Sequence, residues 1–379
     1  MERELPDDVA VALLDLTRDL AARELAPRAA RDEADARFPR DVFDLLGAAG
    51  LMGLPYPEAL GGGGVPSVVY LQVLEELAAA WLSVGIGVSV HALACHPLAY
   101  FGSPAQQSAY LPDLLAGRRL GAYALSEPDA GSDAASLATT ATLVGEQYVV
   151  SGRKAWITHG GVADTYSVMV RTGGPGPGGV SCLLVDADTP GLSTAPAERK
   201  MGANASPTAG LILDDARVDA DRLVGAEGEG FTIALHALDS GRLGIAACAV
   251  GLAQAALDAA VAYAAQRRQF GHPVIEFQGV GFLLADMATG VAAARALYLA
   301  AARRKDAGRA FSQAAAMAKL FATDTAMRVT TDAVQVFGGA GYVEDYPVER
   351  YMREAKVLQI VEGTNQVQRV VIARGLTPA

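Results

Sequence analysis

The chain changes its hydrophobic periodicity only twice in 379 residues, and these two changes limit the folds that it can adopt. Apolar residues follow helical spacing to about residue 120, strand-like runs fill the next hundred or so, and helical spacing returns at about residue 228. Strands that are grouped together, without intervening helices, are typical of α+β proteins. The sequence therefore predicts an α+β multidomain fold with domains at residues 1–120, 121–227 and 228–379.

The first region predicts an N-terminal helical domain. An amphipathic helix is expected over residues 9–26, with four leucines on one side: Leu13, Leu14, Leu16 and Leu20. Further helices are expected over residues 41–50, 68–80 and 83–99. His91 lies five residues before His96, off the spacing of a helical pair of metal ligands, so we predict no metal site there.

The middle region predicts a β domain. Its short apolar runs are separated by Gly, Pro, Asp and Asn, which favour turns. The expected strands cover residues 139–144, 147–151, 166–171, 180–186, 192–196 and 209–213. Strands so close in sequence favour an antiparallel sandwich or barrel.

The last region predicts a helical bundle, because it is rich in Ala and Leu, which have high helix propensity. The expected helices cover residues 231–268, 277–308, 312–337 and 365–376. Three long helices and a terminal one suit an antiparallel four-helix bundle. We expect Gly241 and Gly244 to dent the first of these helices.

Composition limits the partners. A net charge of −11 argues against nucleic acid, because phosphate binding needs clustered cations. The longest apolar stretches, such as residues 244–256, are too short and too rich in Ala for a membrane span. The first residues lack the pattern of a signal peptide, and three distant cysteines suggest neither disulfides nor a metal knuckle. We therefore expect a cytoplasmic protein.

Two motifs in the middle region suit a ring-shaped ligand. Residues 125–133, LSEPDAGSD, combine small residues with hydroxyl groups that can hydrogen-bond a ligand, although a plain Ser/Asp-rich turn has the same composition. Trp156 could stack on a ring while Thr158 donates a hydrogen bond to it. A core Trp at the end of a strand is the alternative.

Two motifs in the last region suit phosphates. Arg267 and Arg268 end a long helix, where they balance its dipole and could also hold a pyrophosphate. Residues 335–342, QVFGGAGY, end another helix, and their glycines either cap it or admit a phosphate. A Rossmann fingerprint is rejected because Ile233 occupies its third glycine position.

Glu362 is the candidate catalytic group. It lies in residues 361–366, VEGTNQ, between an apolar run and a predicted helix. Gly363 frees the backbone, and Thr364 and Asn365 can cap the helix. Among apolar groups this carboxylate would have a raised pKa and could act as a general base. The alternative is an ordinary Glu that favours the helix dipole.

Together these motifs resemble those of the acyl-CoA dehydrogenase family of flavoproteins, over nearly the whole chain. Residues 125–133 resemble the family's first signature, and 156–158 and 362–364 match two shorter elements. The second signature covers residues 335–354 and includes Gly338, Gly339, Gly341, Asp345, Arg350 and Glu354. Three positions depart from the commonest pattern: Asp129, His159 and Asn204.

The resemblance implies an N-terminal helical domain, a middle β domain, a C-terminal four-helix bundle and a homotetramer. It assigns FAD contacts to Tyr123, Leu125, Ser126, Gly131, Ser132, Trp156, Ile157, Thr158, Arg267, Phe270, Phe277, Gln278, Gln335, Val336, Gly338, Gly339, Thr364 and Gln366. Of these, Arg267, Gln278, Gln335 and Gly339 would reach the FAD of a neighbouring subunit. The acyl-CoA would contact Ser132, Asp239, Arg242, Glu362 and Gly363.

The implied reaction oxidises a short-, medium- or branched-chain acyl-CoA to trans-2-enoyl-CoA. Glu362 would take the α-proton while the β-hydride passes to flavin N5, and the electrons would go on to electron-transfer flavoprotein. Some members carry the base just before the residue that matches Arg242, where this chain has Gly241. Two alternatives remain: a dehydrogenase of carrier-protein-bound acyl thioesters, and a binding protein without turnover.

Overall fold

The computed structural model describes residues 3–376, which form two groups of helices around one β region. The first group contains α1 (Asp8–Leu20), α2 (Ala26–Ala34), α3 (Arg40–Ala48), α4 (Ser67–Ala80), α5 (Leu82–Phe101) and α6 (Pro104–Leu115). A π-helical turn, Ala21–Leu25, joins α1 to α2, so the first helix extends beyond its expected end. Helix α6 was not predicted, although a capping box between Ser103 and Gln106 begins it.

The β region is one open, sandwich-like sheet of eight strands. They are β1 (Gly121–Ala124), β2 (Thr140–Val144), β3 (Gln147–Thr158), β4 (Thr165–Arg171), β5 (Val180–Asp186), β6 (Leu192–Thr194), β7 (Thr208–Asp219) and β8 (Leu223–Val224). The order is β6-β7-β3-β2-β4-β5-β8, with β1 parallel to β4. The prediction of a β domain is confirmed, as the sandwich and not as a closed barrel.

Strand lengths differ from expectation for a local reason. β3 and β7 pair over twelve residues each, and two irregularities in their register carry β3 past Gly152 to Thr158. Bulges bend a strand without ending it, so turn-forming residues inside β3 looked like a strand end. β1 was missed because it is four residues long and fully buried, and so shows no alternation.

The second helical group contains α7 (Gly230–Gln266), α8 (Gln278–Asp306), α9 (Ser312–Phe337), α10 (Val348–Leu358) and α11 (Asn365–Arg374). A small hairpin, β9 (Arg268–Gln269) with β10 (His272–Pro273), follows α7. The expectation that Gly241 and Gly244 distort α7 is wrong, because the helix is unbroken over 37 residues. Its glycines instead admit close neighbours: a Cβ at Gly244 would lie 2.2 Å from Ser89 Oγ.

Two expectations from composition have different outcomes. Cys95, Cys182 and Cys248 are buried and unpaired, as predicted. The argument that the apolar stretches are too short for a membrane is wrong, because α5, α7 and α8 are each long and apolar enough to cross one. In α5 the relevant window is entirely buried inside the protein, so its apolar character serves the core.

A buried carboxylate joins three parts of the chain. Glu33, on α2, accepts hydrogen bonds from Trp81 Nε1, from the Ser83 hydroxyl and from the backbone amides of Asn204 and Ala205. Glu354, on α10, is also buried, and its Oε1 has no hydrogen-bond partner within residues 3–376. Burial and, second, the charge of Glu33 raise the pKa of Glu354 to about 8.

This pair makes stability depend on pH. The pKa of Glu354 is raised above its ordinary 4.5, so its carboxyl group holds a proton more tightly in the folded protein than in the unfolded chain. The stabilisation is therefore lost as pH rises through about 8. We expect the Glu354→Gln variant to lose less thermal stability than the parent between about pH 6 and about pH 9.

Differential scanning calorimetry across this range measures the effect. Glu344→Gln is the matched control, because Glu344 is exposed and close to α10. It should follow the parent curve. Parallel curves for Glu354→Gln and the parent would contradict the prediction.

Candidate active site

A cavity of about 720 Å³ lies between the β region and the second helical group. Its lining comes from α5, β1, the loop after β1, the end of β3, α7, the segment before α11 and α11 itself. Twelve of the predicted site residues line it: Tyr123, Leu125, Ser126, Gly131, Ser132, Trp156, Ile157, Thr158, Arg242, Glu362, Gly363 and Thr364.

The turn that carries Glu362 has an unusual backbone. Glu362 has φ of +56° and Gly363 has φ of +86°. Left-handed geometry is costly for a residue with a Cβ and persists where the surroundings impose it. Thr364 then caps α11 by accepting a hydrogen bond from the Val367 amide at 3.3 Å, as predicted. Asn365 does not share the capping, because its side chain turns to α9.

The Glu362 carboxylate points at helix α7. A Cβ at Gly241 would lie 2.6 Å from Glu362 Oε2, so the carboxylate reaches this place only because residue 241 is glycine. Oε2 is buried and has no hydrogen-bond partner among the described residues. Burial raises the pKa of Glu362 to about 7, against the opposing charges of Arg242 and Lys319. The carboxylate is thus set to exchange a proton near neutral pH.

Two other polar atoms at the cavity lack partners. The hydroxyl of Tyr123 and the Nε of Arg242 are buried, with no hydrogen bond in the described part of the chain. Arg242 is held by Asp239, which also accepts a hydrogen bond from Ser312 at 2.9 Å. Buried polar groups without partners cost free energy unless a ligand satisfies them. The cavity therefore presents polar groups that suit a ligand.

A buried ion pair supports the loop after β1. Lys154 Nζ, on β3, donates to Glu127 Oε1 at 2.7 Å and to the carbonyl of Leu125 at 3.2 Å. Glu127 also accepts hydrogen bonds from the amides of Ala138 and Thr139. Burial lowers the pKa of Lys154 to about 8, although Glu127 opposes the shift. The start of the segment 125–133 is thus tied to β3 and to residues 138–139, which a plain surface turn would not require.

The end of β3 presents Trp156 to the cavity. Trp156 has φ of +57° and is 56% exposed, so the alternative of a core Trp is wrong. His159, with φ of +66°, is fully buried and meets the carbonyl of Gly121 at 3.1 Å. Burial lowers the pKa of His159 to about 4. It packs edge-on against Phe43 and so fixes the strand end in place.

The remaining predicted residues do not line the cavity. Asp239 lies behind Arg242, and the others are Arg267, Phe270, Phe277, Gln278, Gln335, Val336, Gly338, Gly339 and Gln366. Most of them are exposed, Phe270 to 91%. The ends of α7 and α9, which carry many of them, meet where Tyr263 stacks on Phe337 at 4.0 Å. The residues near these two helix ends therefore form a second surface on this chain, whereas Asp239 lies earlier on α7 and Gln366 at the start of α11.

Sequence reasoning missed the residues that hold the Glu362 turn. Gln368 Nε2 donates to the carbonyls of Glu362 at 3.1 Å and Gly363 at 2.8 Å. Lys319 Nζ donates to the carbonyl of Gly363 at 2.9 Å. Lys319 carries a weak signal, since a lysine among apolar residues of a helix is rarely buried without a partner. As for metals, no cluster of three or more potential ligands occurs within residues 3–376.

Family models agree with this geometry. The N-terminal, middle and C-terminal domains of acyl-CoA dehydrogenases match residues 8–118, 122–216 and 228–377. The chain belongs to the acyl-CoA dehydrogenase family. It is therefore an FAD-dependent oxidoreductase that acts on CH–CH groups.

Individual relatives cover almost the whole enzyme. An acyl-CoA dehydrogenase of Bacillus subtilis is 45% identical over 368 residues, 97% of each chain. The structure of butyryl-CoA dehydrogenase from Megasphaera elsdenii is 42% identical, with a TM-score of 0.96 over 99% of this chain and 100% of that one. A chain solved in work on the electron transferring flavoprotein of Acidaminococcus fermentans is 44% identical, with a TM-score of 0.98 over all of both chains.

The buried pair Lys154–Glu127 allows a test of the loop. Removal of one partner from a buried ion pair leaves an uncompensated charge, which costs about 3–5 kcal/mol. We expect Lys154→Met to destabilise the enzyme by this order and to reduce the FAD retained per chain. Thermal unfolding and the flavin-to-protein absorbance ratio after gel filtration measure both effects.

The neighbouring Arg153 provides the control. It is exposed on the same strand, and its side chain makes no hydrogen bond or ion pair among the described residues. Arg153→Met should retain both stability and FAD. Equal behaviour of the two variants would show that the ion pair does not hold the loop.

Proposed function

We propose that this acyl-CoA dehydrogenase oxidises a short-, medium- or branched-chain acyl-CoA to trans-2-enoyl-CoA, with Glu362 as the base. The observation that carries the proposal is the Glu362 carboxylate, which is buried at Oε2, has no partner there and has a pKa raised to about 7. A base with a pKa near the working pH is suited to removing a carbon-bound proton. Asp239 and Arg242 lie close by on α7 and would help to hold the acyl-CoA.

The residues around the cavity fit FAD. Trp156 offers an exposed ring face, Thr158 and Ser126 offer hydroxyls, and the Tyr123 hydroxyl lacks a partner. These groups would hold the flavin ring, and Ser132 and Thr364 would extend the site. When bound, FAD supplies the acceptor for the hydride that leaves the β-carbon of the substrate.

The thioester oxygen needs stabilisation while Glu362 removes the α-proton, because negative charge develops on it. The backbone N–H of Glu362 donates to no acceptor among residues 3–376 and would supply one hydrogen bond. A preorganised donor of this kind typically lowers the reaction barrier by about 3–4 kcal/mol. The left-handed turn, which fixes the direction of this N–H, thus serves both the carboxylate and the amide.

The exposed residues at the ends of α7 and α9 fit a subunit contact. Phe270 is 91% exposed and Tyr342 is 87% exposed, and large exposed aromatic groups mark interaction sites. We propose a homo-oligomer, a tetramer as in the family, in which Arg267, Gln278, Gln335 and Gly339 reach the FAD of a neighbour. The similarity to the chain studied with the Acidaminococcus fermentans flavoprotein supports electron-transfer flavoprotein as the acceptor.

Glu362→Gln tests the base. The variant should retain FAD, because glutamine keeps the size and shape of the side chain, but its flavin should not bleach on anaerobic addition of butyryl-, isobutyryl-, isovaleryl-, hexanoyl- or octanoyl-CoA. In the parent, bleaching should slow as pH falls below about 7, because the working form is the carboxylate. Stopped-flow absorbance of the visible flavin band measures both rates.

Two results would contradict this assignment. One is a Glu362→Gln variant that bleaches at the parent rate, and the other is a parent that bleaches with none of the five esters. In the second case, bleaching by an acyl thioester on a phosphopantetheine carrier protein would identify a carrier-bound substrate. Bleaching by neither substrate class would indicate a binding protein.

Leu93 provides a test of acyl chain length. It lines the main cavity and also a second cavity of about 30 Å³ between α4, α5 and α7, and no other described residue lines both. Loss of its side chain should join the two spaces. We expect Leu93→Ala to shift the ratio of octanoyl-CoA to butyryl-CoA oxidation upward by about tenfold, equivalent to about 1.4 kcal/mol.

The matched control is Leu98→Ala, on the same helix. Leu98 is fully buried and lines neither cavity. This variant should be destabilised by a similar cavity in the core but keep the parental ratio of the two substrates. A shift in both variants, or in neither, would mean that Leu93 does not limit the acyl chain.

A further inference from the structure

Lys319 lies directly beneath the Glu362 turn. It is on α9, has 0% of its surface exposed, and donates hydrogen bonds to the Gly363 carbonyl and to Asn365 Oδ1, both at 2.9 Å. Asn365 is itself held by Thr323 and Asp324 on the same helix. The ammonium group is therefore fixed to the turn at two points. Burial of a lysine costs free energy, so we expect Lys319 to have a function beyond packing.

The charged and titratable groups that face Glu362 come from three elements. Arg242 reaches it from α7 and Lys319 from α9, and both favour the carboxylate. Tyr123, on β1, interacts with it electrostatically, and burial and, second, nearby groups raise the pKa of this phenol well above its usual value. The charges of Asp324 and Arg242 also act on Lys319. At neutral pH these two cations are therefore the nearby charges that oppose the effect of burial on the pKa of Glu362.

We propose that Lys319 is a positioning residue of the reaction, which holds the Glu362–Gly363 turn in its left-handed geometry and places a positive charge close to the Glu362 carboxylate. The inference rests on the proposed role of Glu362. Lys319 does not touch the reacting atoms, because its hydrogen bonds go to the backbone of Gly363 and to Asn365.

Gln368 separates the two parts of this role. Its Nε2 donates to the same Gly363 carbonyl at 2.8 Å and to that of Glu362 at 3.1 Å, but it carries no charge. Like Lys319, it has 0% of its surface exposed. Substitution of either residue loosens the turn, whereas only substitution of Lys319 removes a cation from the neighbourhood of Glu362.

The test compares Lys319→Met with Gln368→Met in the FAD-loaded enzyme. The first readout is the infrared C=O stretch of the protonated Glu362 carboxyl, titrated with pH and identified by its absence in Glu362→Gln. The second is the pH profile of flavin bleaching by butyryl-CoA, with kcat and KM measured separately. Flavin content and thermal unfolding show that each variant is folded.

In Lys319→Met, loss of the cation should raise the pKa of Glu362 above about 7, so that both the infrared titration and the acid limb of the rate move to higher pH. A movement by one pH unit corresponds to about 1.4 kcal/mol. In Gln368→Met, kcat should fall while both curves stay at the parental pH. KM should change little in either variant, because neither side chain lines the cavity.

A folded Lys319→Met variant whose Glu362 titrates at the parental pH would overturn the inference. If that variant does not fold, Lys319→Gln retains a neutral donor for the Gly363 carbonyl and should show the same shift. The infrared titration needs no substrate. It therefore tests Lys319 even if no acyl-CoA bleaches the flavin. That result would refute the proposed substrate, whereas the infrared titration would still decide the inference about Lys319.

Discussion

The structure depends most on the contact between a carboxylate and a glycine. The Glu362 turn projects its side chain at α7, where any Cβ at residue 241 would collide with Oε2. The turn itself is left-handed at two successive residues, a conformation that costs free energy and must be imposed from outside. The second helical group supplies that constraint, because α9 and α11 provide the donors that hold the turn carbonyls.

The rest of the cavity shows the same division between a ligand-facing group and a buried support. Trp156 and the loop after β1 face the cavity, and behind them lie His159 and the ion pair of Lys154 with Glu127. The supports come from β3 and the residue that follows it, from the loop after β1 and, through Phe43, from α3. Rigid supports of this kind keep binding groups in place without using their own polar atoms on the ligand.

Several parts of this arrangement could be predicted from the sequence. The change of periodicity gave the order of helices, sheet and helices, and α9 matches its expected bounds at both ends. Thr364 was expected to cap α11 because capping depends on adjacent residues. Helix α6 was missed although Ser103 and Gln106 offer a capping box, since Pro112 interrupts its helical pattern, and β1 was missed because full burial removes its alternation.

The residue types and their order indicate where suitable chemistry lies: a Glu before a Gly, a Trp at a strand end, and glycines at the ends of helices. The position of Gly241 against Glu362, and of Lys319 beneath the turn, could be seen only in the folded chain, because these contacts join residues far apart in the sequence. A pKa depends on burial and on neighbouring charges, and both are properties of the folded chain. The basicity of Glu362 is therefore a property of the folded protein and not of its local sequence.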